Sequence, residues 1–273
     1  MERFTSEFRG VFSTAELLDN IEKSGTKLDS MKRARFDVPT LVPEFYEQGS
    51  MPRLPIKLML LMQNGIRRGL ELSDSMIRDT NAFSYTPVFT SARSLFELAS
   101  LIFDAYDRLF AIFENWDTTA YLEFNDHLDD VILGWKADQW HPGRDKAEDL
   151  ALKAKNILTM MQRIDKRHVP GYFGMYELLS EVAHPNYMGM MEAYCRIGNE
   201  LLSADFIDSP TRVEPERIFI ALSNAEGALD MLASTVERFE LMFVPFAKLA
   251  AERIRDNDDD NNEAFRNWDK PIR

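Results

Sequence analysis

Ser91-Ala-Arg-Ser-Leu-Phe-Glu-Leu-Ala-Ser-Leu-Ile-Phe-Asp-Ala-Tyr-Asp-Arg-Leu-Phe-Ala-Ile-Phe-Glu-Asn115 reads as a single amphipathic helix. Leu95, Leu98, Ile102, Tyr106, Leu109 and Phe113 recur at spacings of three and four, which places them on one face toward a core. Arg93, Glu97 and Asp104 fall on the opposite, water-facing side by the same count. A face this broad has to be covered by other helices, so the period of the flanking sequence decides the fold class.

The helical period continues in both directions. Toward the N-terminus, a long helix is predicted over 55–80, with Pro55 at a first-turn position where its missing N–H costs nothing. Gly65 and Gly69 lie one turn apart on it and mark a close helix crossing. A first helix is expected over 13–36, with Ser13 or Thr14 as cap and Glu16 in its first turn. Its basic end, Met31-Lys-Arg-Ala-Arg35, suits a helix C-terminus, where cations offset the dipole. Pro39, Pro43, Pro52 and Pro55 mark the connector between these two helices.

Toward the C-terminus, helices are predicted over 118–138 and 145–167, separated by a turn at Trp140-His-Pro-Gly143. Another starts near Tyr172, after Pro170-Gly171, and ends at His184, because Pro185 disfavours a helical residue before it. Further helices are expected over 187–204 and 215–255, the last kinked at Pro245. No run of period-two alternation and no Asn-Gly or Asp-Gly hairpin signal occurs. The expectation is an all-α, multi-helix bundle. Residues 1–50 form an N-terminal helical arm and connector, 51–255 the bundle, and 256–273 an acidic, disordered tail.

Charge and cysteine content narrow the function. Net charge is −13 over 273 residues, which argues against broad affinity for nucleic acid or anionic membrane. The one cysteine, Cys195, cannot form an internal disulfide, so a reducing, cytoplasmic location is expected, with Cys195 a small buried residue on a helix. The charged start, Met1 to Arg9, lacks the apolar stretch of a signal peptide, and no apolar run is long enough to span a membrane. The tail mimics a calcium loop at Asp256, Asp258 and Asp260. Asn261 then stands where glycine is required and Asn267 where a bidentate glutamate is required. There is no HExxH, Walker loop, GxGxxG or GxSxG, and no Glu-x-x-His pair. No metal and no cofactor are expected.

The most distinctive segment is Tyr176-Glu-Leu-Leu-Ser180-Glu-Val-Ala-His184-Pro185-Asn186. Tyr176, Ser180 and His184 are spaced four apart and make one stripe. Met175, Leu178, Leu179, Val182 and Ala183 are expected toward the core, Glu177 and Glu181 toward water. Ser180 and His184 suit a nucleophile and base, a role that also needs an orienting group and an oxyanion hole. His184 alone suits a general acid or base. The bland alternative is a histidine capping its helix C-terminus. Arg93 and Glu97 similarly read either as an exposed i, i+4 ion pair, worth a few tenths of a kcal/mol, or as a pair in which Glu97 aims Arg93 into a cleft.

Arg93-Ser-Leu-Phe-Glu97 and the Tyr176, Ser180, His184-Pro185 stripe resemble an uncharacterised family of bacterial helical proteins of unknown function. That family is in turn similar to the HEPN proteins, helical bundles of bacterial defence and toxin systems. The resemblance covers about 88–190. It implies a metal-independent ribonuclease or toxin, acting as a homodimer on an RNA or nucleotide. His184 would be the acid or base, Arg93 the cation and Glu97 its orienting partner, with Tyr176, Ser180 and Asn186 binding substrate. HEPN ribonucleases place an arginine five to seven residues before the histidine; here those positions are Leu179, Leu178 and Glu177, so the cation has to come from another helix. Arg163-Ile-Asp-Lys-Arg-His168 matches that spacing formally but reads mainly as a solvated basic face. A non-catalytic module binding a protein partner or nucleotide, or a structural scaffold, is the alternative. Tyr187, Met188, Met190 and Met191 belong either to a dimer interface or to the core.

Overall fold

Tyr85, Thr86 and Pro87 open the helix that carries the quoted stretch; the helix starts six residues before Ser91. Proline is tolerated there because the first-turn N–H groups have no partner within the helix. The computed structural model describes residues 14–33, 52–133, 156–184, 189, 194–197, 204–206 and 215–255. In chain order the elements are α1 (Thr14–Arg33), α2 (Arg53–Asn81), α3 (Tyr85–Glu114), α4 (Thr118–Leu133), α5 (Ile157–Arg167), α6 (Tyr172–Ala183), β1 (Cys195–Ile197), β2 (Ala204–Phe206) and α7 (Pro215–Arg255). The fold is all-α with a small two-stranded ladder. No helix among the described residues is long and apolar enough to cross a membrane.

Local chemistry sets the helix ends. Between α2 and α3, Phe83 takes a left-handed φ of 57°, and Ser84 N–H donates to the Asp79 carbonyl at 2.8 Å. Asp117 caps α4, its Oδ1 accepting from the backbone N–H groups of Thr119 and Ala120. Asn156 caps α5 by accepting from Leu158 N–H at 3.0 Å. Gly171, at φ 88°, supplies the turn into α6. The expected parts of helices at 134–138 and 145–155, the turn at 140–143, the ends of the first helix, the connector and the tail from 256 lie outside the described residues.

The chain divides into two compact units. Unit 1 comprises 1–35, 62–106 and 156–237; unit 2 comprises 36–61, 107–155 and 238–273. In unit 1 the two glycines of α2 admit neighbouring side chains. A Cβ on Gly65 would lie 2.8 Å from Ile102 Cδ1, and one on Gly69 would lie 2.7 Å from Leu232 Cδ2. The close crossing expected from their spacing is present. Helix α1 joins the same unit through Asn20 Nδ2, which donates to Glu226 at 3.1 Å, and through Lys27 with Glu237. In unit 2, Lys57 is buried and its ammonium donates to Asn125 O, Asn125 Oδ1 and Asp129 Oδ1. All three of its N–H bonds therefore have acceptors.

Four expectations are corrected. The helix predicted over 187–204 does not extend through that range: Tyr194 is helical, but the chain then forms β1, paired antiparallel with β2 in the register Cys195 with Phe206, Arg196 with Asp205 and Ile197 with Ala204. Three-residue strands are too short to give a period-two signal. Cys195 is buried as expected, but on a strand. Asp104, assigned to water, is 3% exposed and pairs with Arg163 of α5. Arg163 is accordingly not part of a solvated basic face, whereas Lys166 and Arg167 are exposed.

Candidate functional site

Arg93 sits two turns into α3, and α6 packs beside it with Tyr172, Tyr176, Leu179 and Val182 buried. Two further contacts fix the pairing of these helices. Phe96 stacks on Tyr172 at 4.2 Å between ring centroids, and Ser100 Oγ lies 2.9 Å from the Tyr172 hydroxyl. Burial pushes the Tyr172 phenol well above its usual ionisation range, with the Ser100 hydrogen bond opposing that in part. It is a neutral, anchored group.

On this frame Arg93 becomes the hub of a four-residue network, all within unit 1. Its Nε donates to Glu97 Oε1 at 3.1 Å, and its Nη2 donates to the Tyr176 hydroxyl at 3.1 Å. The Tyr176 hydroxyl donates in turn to the same Glu97 oxygen at 3.0 Å. Arg93 Cζ also lies 5.5 Å from the centroid of the Tyr176 ring. Its Nη1 lies 3.0 Å from His184 Nε2. Guanidinium has donors only, so the contact is a hydrogen bond in the tautomer whose Nε2 carries the lone pair and whose ring proton sits on Nδ1. Protonating Nε2 would set a donor against a donor.

The reach from α3 to His184 is made by backbone geometry at the end of α6. Ala183 is the last helical residue, and His184 turns to an extended conformation at φ −83° and ψ 149°. Its backbone N–H still donates to the Ser180 carbonyl at 3.0 Å, closing the helix end. The capping role read from the sequence therefore belongs to the backbone, while the ring faces Arg93. His184 is exposed, and Arg93 and Glu97 are each less than a third exposed.

The structure thus brings together Arg93, Glu97, Tyr176 and His184. It does not join Ser180 to His184. Ser180 Oγ is buried and has no hydrogen-bond partner among the described residues, so no nucleophile–base pair exists there. Tyr176 is buried at 6% exposure rather than lying on a boundary, and its hydroxyl is already used twice. In this structure it holds Arg93 and Glu97. Met175 and Leu178, expected in the core, are exposed at 44% and 38%. Asn186, Tyr187, Met188, Met190 and Met191 lie outside the described residues.

The other described histidines, His127 and His168, lie near aromatic rings. His168 meets the Phe103 ring edge-on at 5.0 Å, and the His127 ring lies 6.3 Å from Phe124. No group of three or more metal-ligating side chains occurs among the described residues. A cleft of about 670 Å³ opens elsewhere in unit 1, where Glu22, Asp29, Glu71 and Asp74 outnumber Arg67. Four carboxylates against one guanidinium make it a poor place for a phosphate.

What the Arg93 site can do follows from its parts. It offers an imidazole nitrogen and a cation held by Glu97 and Tyr176. Those are a proton acceptor and an anion stabiliser at hydrogen-bond distance from one another. Compared with protein-family models, with curated proteins and with solved structures, the chain gives no match.

Proposed function

We propose that the Arg93–His184 site cleaves RNA without a metal, in a HEPN-like protein of bacterial defence or toxin type. The observation that carries this reading is the 3.0 Å contact between Arg93 Nη1 and His184 Nε2 across two helices. A substrate enters by taking over both ends of that contact. A ribose 2′-hydroxyl donates to Nε2, and a non-bridging phosphate oxygen accepts from the guanidinium. His184 then removes the 2′-proton while Arg93 offsets the charge that builds on phosphorus. Glu97 and Tyr176 hold the guanidinium plane, so that little reorientation is needed as the charge develops.

A second reading, a nucleotide-binding module without catalysis, is favoured by one observation: the resting Nε2 lone pair is occupied by Arg93. Cleavage assays in EDTA separate the two. The purified wild type is compared with His184→Ala and Arg93→Ala, folding being checked by circular dichroism. The expected result is cleavage by the wild type and a loss of about 100-fold or more in each variant. Absence of cleavage by the wild type across varied RNAs, with nucleotide binding retained, would establish the module instead.

A further inference from the structure

The surroundings of the Arg93–His184 contact carry information about substrate size that the contact itself does not. Between Tyr85 and Tyr106, α3 has one basic residue, Arg93, against Glu97 and Asp104. Helix α6 has none, and its two charges, Glu177 and Glu181, are exposed. They precede His184 by seven and three residues, spacings that put both on its side of the helix. Arg93 itself shares its charge with Glu97 at 3.1 Å.

The basic residues of the packed neighbour α5 do not change this. Arg163 is committed to Asp104. Lys166 and Arg167 are exposed at the turn where α6 begins. His184 is at the opposite end of α6, a helix length of about 18 Å away. A phosphate held by Arg93 is out of their reach. A polymer laid through the site would instead bring its next phosphates toward Glu177 and Glu181, and the whole chain, at −13, repels a polyanion on approach.

We propose, building on the ribonuclease reading, that the substrate of this site is a short ribonucleotide with a single phosphodiester, and not an RNA polymer. In the step itself the 2′-oxygen forms a bond to phosphorus and the bond from phosphorus to the 5′-oxygen breaks. His184 Nε2 accepts the 2′-hydroxyl proton and returns it to the departing 5′-oxygen. The products are a 2′,3′-cyclic phosphate and a nucleoside with a free 5′-hydroxyl. No electron leaves or enters, and the imidazole ends as it began.

The test uses the full chain in EDTA with two substrates, uridylyl-adenosine and a long single-stranded RNA, and reads kcat/KM per phosphodiester bond. It is run at about 20 mM and about 300 mM sodium chloride, which spans weak to strong screening. The dinucleotide is expected to be the better substrate per bond and to vary by less than about twofold with salt, whereas polymer cleavage rises by about threefold or more as repulsion is screened. Glu177→Gln with Glu181→Gln is expected to raise polymer cleavage selectively. Polymer cleavage that exceeds dinucleotide cleavage and falls with salt would overturn the proposal while leaving the ribonuclease reading intact. So would a loss of more than about tenfold in polymer cleavage on Lys166→Glu with Arg167→Glu. Cleavage of neither substrate overturns both.

Discussion

At the scale of single residues, the site depends on the shape of a guanidinium as much as on its charge. Arg93 gives separate donors to Glu97, Tyr176 and His184. A lysine offers a point charge on a flexible stem and cannot fill those three directions at once. Arg93→Lys is therefore expected to lose about tenfold or more in cleavage despite keeping the charge, read as kcat at saturating dinucleotide. A variant as active as wild type would mean that orientation contributes nothing. Tyr172 makes a second prediction at this scale. Its phenol is raised by burial above the usual tyrosine range, so in strong alkali the unfolded chain loses this proton first while the folded chain retains it. The contribution is constant below the unfolded value and declines as pH rises through and beyond it. Urea midpoints measured from neutral pH to about pH 11 should fall for the wild type on the alkaline side, and Tyr172→Phe should flatten part of that fall while starting lower for want of the Ser100 bond. An unchanged alkaline slope would remove Tyr172 as its source.

At the scale of elements, the crossing at Gly65 and Gly69 rests on the absence of two side chains. An alanine at Gly69 gains roughly 1 kcal/mol of helix propensity. It also drives a methyl into Leu232, whose side chain is fully buried and has little room to move. Overpacking of this kind costs about 1–3 kcal/mol, so Gly69→Ala should be neutral to moderately destabilising. Gly69→Val, with a second branch and poorer propensity, should destabilise by about 2 kcal/mol or more; equal urea midpoints for glycine and valine would show that α2 is not tightly packed there. This crossing was legible in the sequence, because spacing on one helix face is local information. So were the start of α6 after Gly171 and its end before Pro185. What the sequence withheld is what depends on a neighbour. Asp104 lies where the α3 period puts water, and its burial goes with the approach of Arg163 from another helix. Met175 and Leu178 look like core residues by type and are exposed. The β1–β2 ladder is held by pairing between segments, each too short to declare itself. The sequence allowed Arg93 and Glu97 either as an exposed pair or as a pair facing a cleft, and the choice between them needed the packing of α3 against α6.

At the scale of the whole molecule, charge and local ion pairs pull stability in opposite directions with salt. Exposed pairs such as Lys23 with Asp19 and Lys27 with Glu237 lose what they contribute when screened. Solvent-exposed pairs of this kind contribute little. Against them stands a net charge of −13, whose self-repulsion is long-ranged and relaxes when the chain unfolds. Of these terms the repulsion involves more charges and is screened over the same Debye length of about 10 Å at 0.1 M salt. Raising sodium chloride from about 20 mM to about 300 mM should therefore raise the thermal midpoint, by about 2–5 °C, followed by circular dichroism at helical wavelengths. The same change in salt speeds polymer cleavage only if the repulsion also acts on the approach of RNA. A midpoint that falls would assign the larger share to the ion pairs, and the acidic excess would then lie too dispersed on the surface to oppose folding.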